Sequence, residues 1–396
     1  MKFVIAPDSF KNCMTAREAA EAIRSGLSAV FPDAEYDMVP MADGGEGTVQ
    51  ALVDATGGTL RQATVLDPLQ RSVSATYGLL GADGAERAGN GATTAVIEMA
   101  AASGIGFVNE ATENPLAATT YGTGQLIRAA LDDGARRIII GIGGSATNDG
   151  GAGMAEALGV RFLDAHGNAI ARGGGALGQL SAIDVTGLDP RINATEILIA
   201  SDVANPLTGP QGASAVFGPQ KGATEAMVGQ LDANLAHYAA MISSQLGRDV
   251  ARMPGAGAAG GLGAGLLAFT NASMRPGVEI VAQTVRLAQR AADADYCITG
   301  EGGIDAQTQH GKTPIGVARA VRQNNPNIGV IALAGYVGSG IGPLYDLGID
   351  AIFGIVPGAA TLERALAEGA HNLRRTAENV ARLIALCDYQ CHNNPQ

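Results

Sequence analysis

The densest chemical signal is Ile138-Ile139-Ile140-Gly141-Ile142-Gly143-Gly144-Ser145-Ala146-Thr147-Asn148-Asp149-Gly150-Gly151-Ala152-Gly153. A buried strand runs into a loop with six glycines among residues 141–153, then into a helix. Backbone N–H groups in such a loop, beside a helix N-terminus, form an anion site. Ser145 and Thr147 add hydroxyl donors to the N–H groups of Gly143 and Gly144. A strand–helix turn without a ligand would need only one or two glycines.

Acids recur beside glycine or small polar residues in four further loops. These are Asp8 with Ser9 and Lys11, Asp43-Gly44-Gly45-Glu46, Ser201-Asp202, and Glu301 with Asp305. Each follows a strand candidate, and ligands of open α/β sheets sit beyond the carboxyl ends of strands. Mg²⁺ suits such acids, because it takes carboxylates together with substrate phosphates. Any one of them alone reads equally well as a helix cap or turn. Lys11, Lys221 and Lys312 are three of the chain's few lysines, and all lie in or beside loops where they could neutralise phosphate. The five histidines show no metal-ligand spacing.

Two familiar nucleotide motifs can be tested. Gly141, Gly143 and Ala146 fit the dinucleotide pattern Gly-x-Gly-x-x-Ala, with Asp164 near the expected distance, so an NAD-dependent hydroxy-acid oxidoreductase is the rival reading. Asp149 opposes it, since a carboxylate there would repel a pyrophosphate. A second match, Gly255-x-Gly257-x-x-Gly260, follows no strand. Gly311-Lys312-Thr313 resembles the end of a Walker loop, but Ala306 stands where the first glycine is required. The motifs of protein kinases do not occur.

These loops need elements to hold them. Phe3–Ala6 reads as a strand, and Thr15-x-x-Glu18 as a capping box opening a helix with Ala19, Ile23, Leu27 and Val30 on one face. Tyr36–Val39 is a second strand. Near the end, Tyr296–Thr299, Ile328–Ala334 and Ala351–Val356 read as strands, Thr313–Val321 as a helix and Thr361–Leu386 as one long closing helix. Between them, residues 61–92 alternate like strands and include a loose segment over 81–92, followed by the 138–142 strand. The order implies two α/β domains, one inserted into the other. Residues 1–60 and 292–396 form a discontinuous α/β domain built from both chain ends, and 61–291 form the inserted one.

Length and composition agree. A chain of 396 residues predicts about two domains. Charged residues are only 16% and hydrophobic ones 46%, which excludes a disordered chain. A net charge of −12 without a Lys/Arg cluster argues against a nucleic-acid partner. Glycine reaches 56 residues, about twice its usual share. The longest uncharged stretch, Met253–Met274, is broken by Pro254 and glycines, so it reads as loop and buried helix, not a membrane span. Cys13, Cys297, Cys387 and Cys391 offer no disulfide framework, and the first residues do not form a signal peptide, so the expected location is cytoplasmic. The oligomeric state stays open, a homodimer included.

The motifs taken together are specific. Ile5-Ala6-Pro7-Asp8-Ser9-Phe10-Lys11, Ala42 through Thr48, Gly141 through Gly153, Ser201 through Leu207, Phe217-Gly218-Pro219-Gln220-Lys221-Gly222, Pro254 through Gly261 and Thr299-Gly300-Glu301-Gly302 resemble the bacterial glycerate kinase family, in family order over nearly the whole chain. The resemblance implies phosphorylation of D-glycerate by ATP with Mg²⁺, giving 2-phosphoglycerate. It also implies two α/β domains, one with a flavodoxin-like parallel sheet, and a site between them. On that reading Asp202 and Lys11 are catalytic, and Asp8, Ser9, Asp43, Gly44, Glu46 and Lys221 bind substrate. The 143–149 loop binds ATP, and Glu301 and Asp305 bind the metal. Two positions depart from the family's usual pattern, which often has Arg where Gly303 stands and Glu where Gln125 stands.

Overall fold

The computed structural model describes residues 1–81 and 93–393. From residue 82 on, the loose segment expected over 81–92 lies outside the described residues. The strands, numbered along the chain, are β1 (Lys2–Pro7), β2 (Glu35–Met38), β3 (Thr59–Leu66), β4 (Ser72–Leu79), β5 (Thr93–Glu98), β6 (Ala135–Gly141), β7 (Arg161–Leu163), β8 (Ala182–Asp184), β9 (Glu196–Ala200), β10 (Ala272–Arg275), β11 (Tyr296–Ile304), β12 (Gly329–Val337) and β13 (Ala351–Gly354). The helices used below are α1 (Ala16–Ser28), α2 (Thr48–Thr56), α3 (Tyr121–Asp132), α4 (Glu225–Leu246), α5 (Ala258–Phe269), α6 (Gly277–Thr284), α7 (Thr313–Arg322) and α8 (Gly369–Asn393). The chain divides into two compact units, one of Met1–Asp43, Gln50–Thr56 and Val278–Gln396, the other of Gly44–Val49 and Gly57–Gly277. Residues 278–291, expected in the inserted domain, therefore belong with the chain ends: Val278 packs against Gly316, and Arg290 pairs with Asp37.

The unit of the chain ends carries a five-stranded sheet in the order β13-β12-β11-β1-β2, parallel throughout. In the unit's own chain order this is 5-4-3-1-2, the flavodoxin-like arrangement. Val4, Ile5 and Ala6 are fully buried in β1, as an interior parallel strand requires. Phe3 stacks on Tyr36 and Tyr296 from the two neighbouring strands. The Thr15/Glu18 capping box is present, and α1 buries Ala19, Ala20, Ile23 and Leu27. The chain leaves β1 toward β2 and leaves β11 toward β12, so the strand order reverses between β1 and β11. That reversal opens a crevice at their carboxyl ends.

The larger unit carries a six-stranded sheet in the order β10-β9-β6-β5-β4-β3. In it β5, β6, β9 and β10 pair in parallel, while β4 and β3 are antiparallel. Ile97, Ile138, Ile140, Ile197 and Ile199 build its core with Leu126, Met154 and Leu262. The carboxyl ends of β5, β6 and β9 place Glu98, Gly141 and Ala200 along one edge.

The expected closing helix is two helices, Leu362–Ala367 and α8. They part at Glu368, and at Gly369, which opens α8, a side chain would meet the Cys13 sulfur at 2.1 Å. Helices α1 and α8 also touch at a glycine: a Cβ on Gly26 would lie 2.2 Å from the Arg374 carbonyl oxygen. Gly26→Ala should therefore destabilise the protein by about 1–3 kcal/mol, the usual cost of overpacking, despite a helix-propensity gain of about 1 kcal/mol. Urea unfolding measures it, and a net gain in stability would refute the tight contact.

Candidate active site

In the unit of the chain ends, the crevice between β1 and β11 is lined by acids. Asp8 follows β1 and is buried; one carboxylate oxygen accepts the Ser9 N–H at 2.6 Å and the other accepts the Thr313 hydroxyl. Burial, then the nearby Asp43, pushes the Asp8 carboxyl up to about 6. Glu301 lies in β11 and accepts the Thr308 hydroxyl at 3.2 Å. Burial raises it to about 7; Lys312 opposes that rise, and Asp8 and Asp43 add to it. Thr308 Oγ1 in turn accepts the Asp305 N–H, which fixes its hydroxyl toward Glu301. Three carboxylates thus repel one another beside Lys312 and the first residue of α7.

The other expected residues of this unit differ in placement. The Asp305 carboxylate caps the short helix Ala306–His310, its Oδ1 accepting the Gln307 N–H at 2.8 Å. Lys11 is exposed, and its backbone passes Gly302, where a Cβ would lie 3.5 Å from the Lys11 nitrogen. Ser9 is half-buried. Gly303, where the family often has Arg, faces open space. Thr308 and Thr313 escaped the sequence reading; the only signal for Thr313 was the rejected Walker resemblance.

In the larger unit, the loop after β6 shows only a short stretch to solvent. Gly143 and Gly144 are exposed, and Gly144 adopts φ +73°, which favours glycine. Ser145 is 8% exposed, and from Ala146 to Gly150 everything is buried. Thr147, Asn148 and Asp149 therefore do not present side chains to a phosphate. Asp149 points inward and accepts the hydroxyls of Thr119 and Thr120 and the N–H groups of Thr120, Gly151 and Gly153. Asn148 donates to the Ser214 hydroxyl at 2.8 Å. Lys221, expected to meet substrate, is buried beneath the loop, where its ammonium donates to Ser145 Oγ at 2.8 Å and to the Thr147 carbonyl at 2.6 Å.

Backbone packs on backbone here. A Cβ on Gly260 would lie 1.9 Å from the Thr147 carbonyl oxygen, and the Gly150 N–H donates to the Gly260 carbonyl. This explains the second glycine cluster as packing. The Gly44–Val49 segment covers the strand ends in the same way: a Cβ on Gly141 would meet the Gly44 carbonyl oxygen at 2.3 Å. Glu98, at the end of β5, accepts the Val49 N–H at 2.8 Å and so ties down the start of α2. Glu46 and Asp202 are exposed, and Asp202 accepts the Gly277 N–H at 3.3 Å. Gln125 accepts the Leu66 N–H from inside α3, a structural bond.

The dinucleotide reading fails on topology. The strand after the loop, β7, pairs antiparallel with β8 in a separate ribbon, so no βαβ unit forms. Asp164 is engaged by the N–H groups of His166 and Asn168 in its own turn.

The raised acids have a stability signature. A carboxyl whose pKa is raised by folding stabilises the fold below its ordinary pKa, and loses that contribution as pH rises through the folded value. Glu301→Gln should therefore gain thermal stability relative to the parent protein as pH is raised from 5 to 8. A difference that stays flat with pH would remove the repulsion assigned to Glu301.

Comparison with known proteins agrees with this architecture. The glycerate kinase family model matches residues 3–385. The chain is 54% identical over 386 residues to a protein of Bacillus subtilis (strain 168) described as glycerate kinase, covering 98% of each chain. It is 50% identical over 386 residues to a protein of Escherichia coli (strain K12) described as glycerate 2-kinase, again covering 98% of each. A crystal structure from Salmonella typhimurium LT2, provisionally described as glycerate kinase 2, superimposes with a TM-score of 0.88 at 51% identity, covering 98% of this chain and 99% of that one. With its family pattern, its two α/β units and these full-length relatives, the chain belongs to the glycerate kinase family.

Proposed function

We propose that the protein transfers the γ-phosphoryl group of ATP to the 2-hydroxyl of D-glycerate, giving 2-phosphoglycerate and ADP in the cytoplasm. The observation that carries this reading is the identity of 50%, over 98% of both chains, with the relative described as glycerate 2-kinase. The geometry is in keeping with it. Phosphoryl transfer asks a protein mainly to position reactants and to stabilise charge.

In the larger unit, the exposed backbone of Gly143 and Gly144, with Ser145, is the anion cradle for ATP phosphates. Asp202 is exposed at the end of β9 and takes the proton of the substrate hydroxyl. In the other unit, Lys11 and Ser9 hold the glycerate carboxylate or the transferring phosphoryl group.

Among the described residues no three His, Cys, Asp or Glu side chains form a metal cage. Mg²⁺ does not require one, since it takes one or two carboxylates and fills its other positions with water and phosphate oxygens. Asp8, Asp43 and Glu301 fit that demand: they crowd negative charge at a strand crevice, and a cation would relieve their repulsion. Asp8 and Glu301 would hold it, with Asp305 as the third candidate ligand. When bound, the metal supplies neutralisation of charge on phosphoryl oxygens.

An ADP-release assay with ATP, Mg²⁺ and D-glycerate, with phosphorus NMR of the product, tests the reaction. Phosphate at carbon 2 is expected; phosphate at carbon 3 would overturn the regiochemistry, and no ADP release would overturn the substrate. Asp202→Asn should lower kcat by about 10²-fold or more, the usual scale for a general base. A folded Asp202→Asn protein with near-normal turnover removes Asp202 from the mechanism.

A further inference from the structure

Lys221 is 2% exposed, yet no carboxylate forms an ion pair with it among the described residues. Burying an ammonium this way is costly unless its hydrogen bonds are met. Both acceptors it has come from one place, the glycine loop after β6: Ser145 Oγ at 2.8 Å and the Thr147 carbonyl at 2.6 Å. Asp149 acts on it through space, but that carboxylate is itself held by five donors from other groups. Glu113 lies against the neighbouring Gly222. The local chain is built to deliver this lysine: Pro219–Lys221 form a single 3₁₀ turn, ended by Gly222 in the left-handed region. The Ile105 and Ala146 N–H groups tie the loop to the chain at 103–105 by bonding the carbonyls of Gly144 and Ser103, while among the described residues Thr147 Oγ1 and Asn148 Oδ1 are buried without hydrogen-bond partners, which leaves Lys221 as the cation on the loop's inner side.

A cation in this position does two things for the exposed face of the same loop. It fixes the Ser145 hydroxyl and the carbonyl of Thr147, on the same loop that exposes Gly143 and Gly144. It also places positive charge beneath them in a low-dielectric interior, where charge acts strongly on an anion. A neutral donor could do only the first.

We propose that Lys221 is a positioning residue for nucleotide binding, setting the anion loop from inside the fold through Ser145 and Thr147 without touching either substrate. The inference rests on the reading that ATP phosphates sit at Gly143 and Gly144. A proton linkage accompanies it. Burial lowers the Lys221 ammonium to about 7, so at pH 8 it is mostly neutral in the free protein. An anion on the loop favours the charged form, so ATP binding at pH 8 takes up a proton.

Three variants and one titration separate the possibilities. Gly143→Ala tests the underlying reading, because its Cβ would meet only Gly45 at 3.7 Å and would stand in the phosphate's place. It should raise the KM for ATP and leave that for glycerate. Lys221→Met should raise the KM for ATP by about tenfold, a change of about 1.4 kcal/mol, again with the glycerate KM unchanged. Lys221→Arg keeps the charge and should recover part of the ATP KM. Calorimetry of ATP binding to the unaltered enzyme with Mg²⁺ at pH 8, in two buffers of different ionisation enthalpy, should show proton uptake, and Lys221→Arg should abolish it. If Gly143→Ala leaves the ATP KM unchanged, the phosphate reading fails and takes the inference with it. If Gly143→Ala raises that KM and Lys221→Met does not, the inference alone fails. A rise in the glycerate KM on Lys221→Met would overturn it in favour of direct substrate contact. Should Lys221→Met not fold, the calorimetry on the unaltered enzyme decides, and absence of proton uptake overturns the proposal.

Discussion

The buried Asp149 carboxylate is the fixed point of the larger unit. Its two oxygens accept bonds from Thr119, Thr120, Gly151 and Gly153, so one side chain joins the segment before α3 to the chain that follows the glycine loop. A buried carboxylate is tolerable only when its lone pairs are met in this way. Because the bonds go mostly to backbone and to short β-branched side chains, they leave the loop little freedom. The glycines then follow from crowding on three sides: a Cβ on Gly150 would meet the Tyr238 ring of α4, one on Gly151 would meet Gly265 of α5, and one on Gly153 would meet the Thr119 hydroxyl. Only Gly143 and Gly144 are left to face outward.

The other unit uses the opposite device. At the crevice between β1 and β11, charge is left unbalanced: burial and then Asp43 raise Asp8, and burial, Asp8 and Asp43 raise Glu301, which Lys312 only partly offsets. Thr313 and Thr308 donate to two of these acids and set their orientation. Such an arrangement costs stability in the free protein and favours whatever cation or proton arrives there. One unit thus carries a glycine loop anchored by a fully hydrogen-bonded carboxylate, and the other a crowded acidic crevice at a point where its strand order reverses.

Much of this was legible in the sequence. Apolar runs such as Val4-Ile5-Ala6 and Ile138-Ile139-Ile140 mark interior parallel strands, and the Thr15/Glu18 box marks a helix start, because both depend on neighbours close in the chain. The glycine loop after β6 was visible for the same reason. The break at Glu368 before α8 was not, since no glycine, proline or capping residue at that position marks it. Nor was the packing of residues 278–291 with the chain ends, which depends on Gly316 and Asp37.

The sequence by itself determined the α/β class, the family pattern and the loops that follow strands, since these are written in local periodicity and residue type. Only the tertiary structure decided which groups in those loops face out and which face in. Thr147, Asn148, Asp149 and Lys221 have the residue types of a phosphate site, and all four side chains are buried. A polar side chain pays a large desolvation penalty inside unless partners meet it, and those partners here, Thr120, Ser214 and Ser145, come from distant segments. The direction of a side chain at a loop is therefore set by which distant donors and acceptors the fold brings to it, and no spacing in the sequence carries that information.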